Sequence, residues 1–231
     1  MSIRSIIQTP ANDLSKSLEF YTKLKFSIVS EKDPVIVSDG KAFIEITTNK
    51  FTRAGIKLLS PSWERIVPEI EKLTSVIKID TGYLLSDTSG MWIYLIEHPD
   101  EFDLKPSESS TSVLGNYAGI SLETVDIEKS IEVFTLLGFM KTAGDADQGW
   151  LTLKNDDDLG ISVMKPNFCP HLFTNPSLTY FNGGKNEPVI QNIRDLNIPI
   201  TEEITHFNDA GIVDNVIIKD PGGFGFFIFN D

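Results

Sequence analysis

The sequence predicts an α+β fold built by duplication, with two strand-rich units in tandem. Three observations predict it. The amphipathic stretch DLSKSLEFYTKLKF, from Asp13 to Phe26, is written again as DIEKSIEVFTLLGF, from Asp126 to Phe139. A turn and strand also recur, as DTSGMWIYLIE from Asp87 to Glu97 and as DPGGFGFFIFN from Asp220 to Asn230. Between these lie short runs of β-branched and aromatic residues bounded by Gly, Pro, Asn and Asp, which read as strands. Amphipathic helices are common, but two matched signals in the same order argue for a repeated unit.

The first stretch of each copy carries apolar residues at Leu14, Leu18 and Tyr21, and at Ile127, Ile131 and Phe134. That spacing is one face of an α-helix. Asp13 and Asp126 stand where a carboxylate can accept the free N–H groups of a first turn. Gly138 follows the second helix as a left-handed stop. Lys25 holds that place in the first copy, so a different cap is expected there.

In chain order, Ile3 to Gln8 reads as a strand ended by Thr9-Pro10-Ala11-Asn12. After the helix come strands at 26–30, 35–37 and 41–47, with Asp39-Gly40 a two-residue hairpin signal. The pattern then repeats: a strand at 54–59, a helical face at Trp63, Ile66, Val67, Ile70 and Leu73 with Pro68 near its start, and strands at 76–79, 83–86 and 91–97. Residues 99–114 are polar, with a Ser/Thr cluster, and read as a linker between a domain at 1–98 and another at 115–231. The second half gives strands at 118–123, 139–143, 150–153 and 160–164, a long loop from Pro166 to Pro176, then a strand, a helix at 188–196 and three further strands.

With 231 residues, 41% hydrophobic and 23% charged, the chain has ordinary globular composition. No apolar run reaches the roughly 18 residues of a membrane span, and the N-terminus lacks the apolar core of a signal peptide. A single cysteine excludes an intrachain disulfide and fits a cytoplasmic setting. The net charge of −13 argues against nucleic acid and is compatible with a cationic small ligand.

The repeated helices and the Asp-x-x-Gly turns at Asp87–Gly90 and Asp220–Gly223, each leading into a terminal strand, resemble the vicinal oxygen chelate superfamily of glyoxalases, bleomycin-resistance proteins and extradiol dioxygenases. The resemblance covers nearly the whole chain. It implies four βαβββ modules, two per domain, whose curved mixed sheets each enclose a ligand cavity. It also implies a divalent metal held by His, Gln or Glu on the first and last strands of each module. Carried over by position, those ligands fall near Ser5, Glu45, Ala54 and Tyr94, and near Gly119, Ser162, Pro176 and Phe227. Only Glu45 could bind a metal, whereas a catalytic site wants about three N/O ligands. No metal, no cofactor and no catalytic residue is therefore assigned. The expectation is a metal-independent small-molecule-binding protein that sequesters a cationic or aromatic compound; the alternatives are a metal-dependent lyase or dioxygenase and a non-catalytic interaction protein. The resemblance thus implies Ser5, Glu45, Tyr94 and Phe227 as cavity positions. Strand alternation from the terminal strands adds Ile7, Trp92 and Phe229, with Ser121 from the opposite strand, as ligand-binding residues. Cys169 and His171 lack an orienting third group, and His206 among Glu202, Glu203 and Asp209 reads as a solvated edge.

Overall fold

The computed structural model describes residues 3–98 and 104–230. The first half contains β1 (Arg4–Pro10), α1 (Leu14–Lys23), β2 (Ser27–Ser30), β3 (Val35–Ser38), β4 (Phe43–Thr47), β5 (Gly55–Ser60), α2 (Val67–Ile70), β6 (Val76–Ile79), β7 (Gly82–Ser86) and β8 (Trp92–Glu97). Its strands form one eight-stranded mixed sheet in the order β2-β3-β4-β1-β5-β8-β7-β6. At the centre β1 and β5 run antiparallel; β4 joins β1 in parallel and β8 joins β5 in parallel.

The second half repeats this plan with β9 (Asn116–Glu123), α3 (Ile127–Leu136), β10 (Met140–Asp145), β11 (Trp150–Lys154), β12 (Gly160–Met164), β13 (Ser177–Phe181), α4 (Asn186–Asp195), β14 (Ile200–Ile204), β15 (Asn215–Lys219) and β16 (Gly225–Phe229). Its order, β10-β11-β12-β9-β13-β16-β15-β14, is the first sheet's order shifted to the second copy. Among the described residues no helix is long and apolar enough to cross a membrane.

The helix caps follow the sequence at one end and depart from it at the other. Asp13 accepts from the N–H groups of Ser15 and Lys16, and Asp126 from that of Lys129. At the C-termini Gly138 has φ +89°, but Lys25 has the same left-handed geometry, φ +68°. The closing bonds also match: Phe26 N–H donates to the Tyr21 carbonyl at 3.0 Å and Phe139 N–H to the Phe134 carbonyl at 2.9 Å. The expectation of a different cap is corrected, because the terminating bond needs the backbone path whatever side chain is present. A Cβ in that region costs about 1 kcal/mol. Lys25→Gly is therefore expected to raise stability by about 0.5–1 kcal/mol, read as a higher denaturant midpoint at unchanged slope. The Asp39-Gly40 turn is also longer than expected. Ser38 pairs with Phe43, so four residues connect β3 and β4, and the Asp39 carboxylate accepts from the N–H groups of Lys41 and Ala42.

The two halves share one core. Ile7, Ile44, Ile56, Leu58, Ile93 and Leu95 of the first sheet belong to the same buried cluster as Ile120, Leu122, Ile161, Val163, Leu178 and Phe226 of the second. Between them, Phe20 of α1 meets Phe226 edge-on at 5.7 Å. Polar bonds across this seam are reciprocal. Asp220, in the turn before β16, accepts from the hydroxyls of Thr9 (2.8 Å) and Tyr21 (2.9 Å). Asp87, in the matching turn before β8, accepts from Ser130 of α3 (2.7 Å). Asp39 accepts from Tyr180 of β13 (3.1 Å). All three carboxylates are buried. The hydroxyl of Ser17, which stands in α1 where Ser130 stands in α3, is buried without a partner among the described residues. Residues 104–114 are fastened to the first half: the N–H groups of Ser107 and Val113 donate to the carbonyls of Gly40 and Leu24. The preceding part of the expected linker, 99–103, lies outside the described residues.

Candidate functional site

Side chains alternate across a strand, and the buried core fixes which alternates face away from it. Ile44 and Ile46 of β4, Ile56 and Leu58 of β5, and Ile93 and Leu95 of β8 pack in the core. Glu45, Lys57 and Leu59, and Trp92, Tyr94 and Ile96 therefore share the opposite face. On β1, Gln8 pairs with Glu45 and Ile6 with Lys57, so Ile6 and Gln8 join them. This corrects the placement of Ser5 and Ile7. Ile7 is in the shared core. Ser5 is bonded across the seam, its N–H donating to Asp157 and its hydroxyl accepting from the Asn155 amide, both at 2.7 Å. A one-residue slip in phase moves a whole strand's side chains to the wrong face.

On this face lies a cavity of about 350 Å³. Ile6, Ile36, Leu59 and Ile96 supply its apolar walls, with Glu45 and Lys57 between them. The Lys57 ammonium stands 2.5 Å from a Glu45 carboxylate oxygen, and the two side chains are 20% and 7% exposed. Lys32 and Asp33 also line it, from the loop between β2 and β3. Trp92 and Tyr94 lie on the same face but outside this lining. Tyr94 is directly across from Lys57 in the β5–β8 register, and its hydroxyl accepts from the Arg53 N–H at 3.1 Å. The Gln8 amide donates to the Arg53 carbonyl, also at 3.1 Å.

The corresponding face of the second sheet carries paired hydroxyls and packed rings. Ser121 and Thr179 hydroxyls bond each other at 2.7 Å, and Thr152 and Ser162 at 2.9 Å. Phe227 is 2% exposed and packs with Ile204, Ile217, Phe173 and Phe229. The loop between β12 and β13 lays His171 against these rings, 5.2 Å from Phe227 and 5.1 Å from Phe229. The inward residues of β13 are Ser177 and Thr179, Pro176 standing just ahead of the strand. Cys169 and His171 each have other partners. The Cys169 sulfur sits 3.7 Å from that of Met164, and burial pushes its thiol up to about 11. The His171 Nδ1 lies 2.9 Å from the Leu172 carbonyl. Around His206, Glu202 accepts from the Leu172 N–H and Glu203 pairs with Arg194.

The architecture is the two-domain vicinal oxygen chelate fold. Homoprotocatechuate 2,3-dioxygenase from Arthrobacter globiformis superposes with a TM-score of 0.57 at 15% identity, over 96% of this chain and 78% of that one. The Mn(II)-bound glyoxalase from Novosphingobium aromaticivorans gives 0.54 at 15% identity, over 97% and 80%. The 2,3-dioxygenase LapB from Pseudomonas sp. KL28 gives 0.52 at 15% identity, over 97% and 90%. No family model and no curated protein matches the chain.

The metal that this fold implies can be tested against the donors present. On the four central strands the inward residues include Gln8, Glu45, Lys57 and Tyr94 in the first half, and Ser121, Ser162, Thr179 and Phe227 in the second. In the first half only Gln8 and Glu45 are of the ligand types, Gln8 donating to the Arg53 carbonyl and Glu45 paired with an ammonium. In the second only Glu123, which accepts from the Asn167 and Cys169 N–H groups, stands beside hydroxyls bonded to each other. Neither set supplies the about three N/O ligands that a divalent ion needs. Among the described residues no group of three or more His, Cys, Asp and Glu could hold a metal. The sequence did not nominate Ile6, Ile36, Lys57 or Leu59; strand alternation from Tyr94 does put Ile96 on this face. Lys57 did carry a signal, as the one charged residue of the strand GIKLLS.

Proposed function

We propose that the chain is a metal-independent small-molecule-binding protein whose site is the cavity of the first sheet. One observation carries this reading: a largely buried Glu45–Lys57 pair stands among apolar walls, and Glu45 holds one of the positions that the family resemblance gives to a metal ligand. A concave apolar site with a few convergent polar groups is the usual form of a ligand pocket. A cytoplasmic setting, with its reducing conditions, accords with the single cysteine. The alternative, a metal-dependent dioxygenase or lyase, rests on the fold likeness, and fold alone does not carry function.

A panel of small aromatic and aliphatic fragments, screened by ligand-observed NMR against chelator-treated protein, tests the reading. Binding is expected without added metal, and it is expected to be lost in Leu59→Trp, where the larger ring fills the cavity. Binding that appears only with added Fe(II) or Mn(II), or that survives in a folded Leu59→Trp variant, would overturn it.

A further inference from the structure

We propose that Lys57 is the anchor for an anionic oxygen, so that the ligand is a compact apolar molecule bearing one carboxylate or a comparable oxyanion. This deepens the reading of the cavity above and rests on it.

An ammonium has three donors. Among the described residues the Lys57 ammonium spends one, on Glu45, and the walls beside it are the side chains of Ile6, Leu59 and Ile96. Its side chain is four-fifths buried and its remaining donors face the cavity, where a ligand oxyanion can replace cavity water as their partner. Of the two charged partners Lys57 is the more exposed, 20% against 7% for Glu45. The ammonium's side chain is therefore the more accessible of the two to a ligand in the cavity. Glu45 holds the ammonium in place, which makes it a positioning residue. The Glu45 charge is answered by Lys57, so the cavity does not offer a cation an unpaired carboxylate at that position. The other lining charges, Lys32 and Asp33, balance each other. The net charge of −13 opposes anions at long range, but that field is screened within about 8 Å at physiological salt, whereas a contact inside the cavity is not.

The chemistry is that of a charge-assisted hydrogen bond, N⁺–H to O⁻. No bond is made or broken. The molecule's body lies on the aliphatic walls, and Lys57 supplies the charge that holds its oxyanion.

Isothermal titration with matched probes tests the assignment. Benzoate, benzyl alcohol and benzylamine form one set; isovalerate, isoamyl alcohol and isoamylamine form a second. The carboxylate is expected to bind roughly ten- to a hundredfold more tightly than the alcohol of the same skeleton, with the amine weakest. Lys57→Met alone leaves Glu45 buried and unpaired, so the double variant Lys57→Met, Glu45→Gln is the main comparison. In it the carboxylate's advantage is expected to vanish while alcohol binding persists. Glu45→Gln alone, which keeps an acceptor for the ammonium and removes the competing negative charge, is expected to tighten carboxylate binding. Alcohols or amines that bind as well as carboxylates, or a carboxylate preference that survives the double variant, would sink the role of Lys57 while leaving the cavity as a binding site. Failure of every probe would instead overturn both readings.

Discussion

Asp220→Ala is expected to lower stability by about 3–4 kcal/mol. Three donors converge on this carboxylate: the hydroxyls of Thr9 and Tyr21 and the Phe224 N–H, the last at 2.7 Å. Truncation strands all three in a buried seam, and each buried donor left unmet costs about 1–3 kcal/mol. The loss is partly offset, because the carboxylate is itself poorly solvated: burial raises the pKa of Asp220 above its ordinary value, against the lowering effect of its hydrogen bonds. Asp220→Asn separates the two effects, since it keeps an acceptor and removes the charge, and is expected to cost about 1 kcal/mol or less. The sign of the pH dependence follows. A carboxyl whose folded pKa lies above its unfolded one binds protons more tightly when folded. Its contribution to stability therefore falls as pH rises from the unfolded value of 3.8 through the raised folded value, and is level beyond. Asp87 is raised by burial in the same way. Denaturant titrations across mildly acid pH should show wild type losing stability relative to Asp220→Asn as pH rises through that window. A parallel pair of curves would remove the argument.

The second large effect is expected at Gly222. A Cβ there would stand 2.0 Å from the Pro10 carbonyl oxygen and 2.6 Å from the Thr9 hydroxyl. Pro10 is the last residue of β1 and is paired with Thr47 of β4, so the obstructing atom belongs to a strand and cannot swing aside. Gly222→Ala must push the turn off the first half and stretch the Thr9–Asp220 bond, at about 2–4 kcal/mol. Gly223 is the control. It has φ +91° and open space around its Cβ direction, so Gly223→Ala carries only the left-handed backbone penalty of about 1 kcal/mol. Equal losses at the two positions would show that the seam is looser than described.

The sequence carried much of the fold and less of the site, for physical reasons. Repetition exposed the halves, because caps, helical faces and turns are local and are written with the same residues twice. Strand phase was harder. In β1, Ile6 and Ile7 are both apolar because one faces the cavity and the other the core, so alternation alone gives no phase; the pairing of Ile6 with Lys57 decides it. Glu45 was readable as a lone carboxylate in an apolar strand. Lys57 was missed because positions carried over from a resemblance slipped to Ala54, one residue ahead of β5. Bonds such as Tyr21 to Asp220 join residues nearly a whole chain apart, and no local pattern announces them.

The seam also says how the two copies were free to diverge. Where α3 offers Ser130 to Asp87, α1 offers Tyr21 to Asp220, while the hydroxyl of Ser17 goes unused. The partnership was handed from one turn of the helix to the next without being given up. A residue on this boundary answers to a partner in the other copy, so changes there are coupled across the seam. The cups on the outer faces owe nothing to each other. One has settled on a paired acid and base, the other on stacked rings and hydroxyls, and either could acquire a new ligand without disturbing its twin.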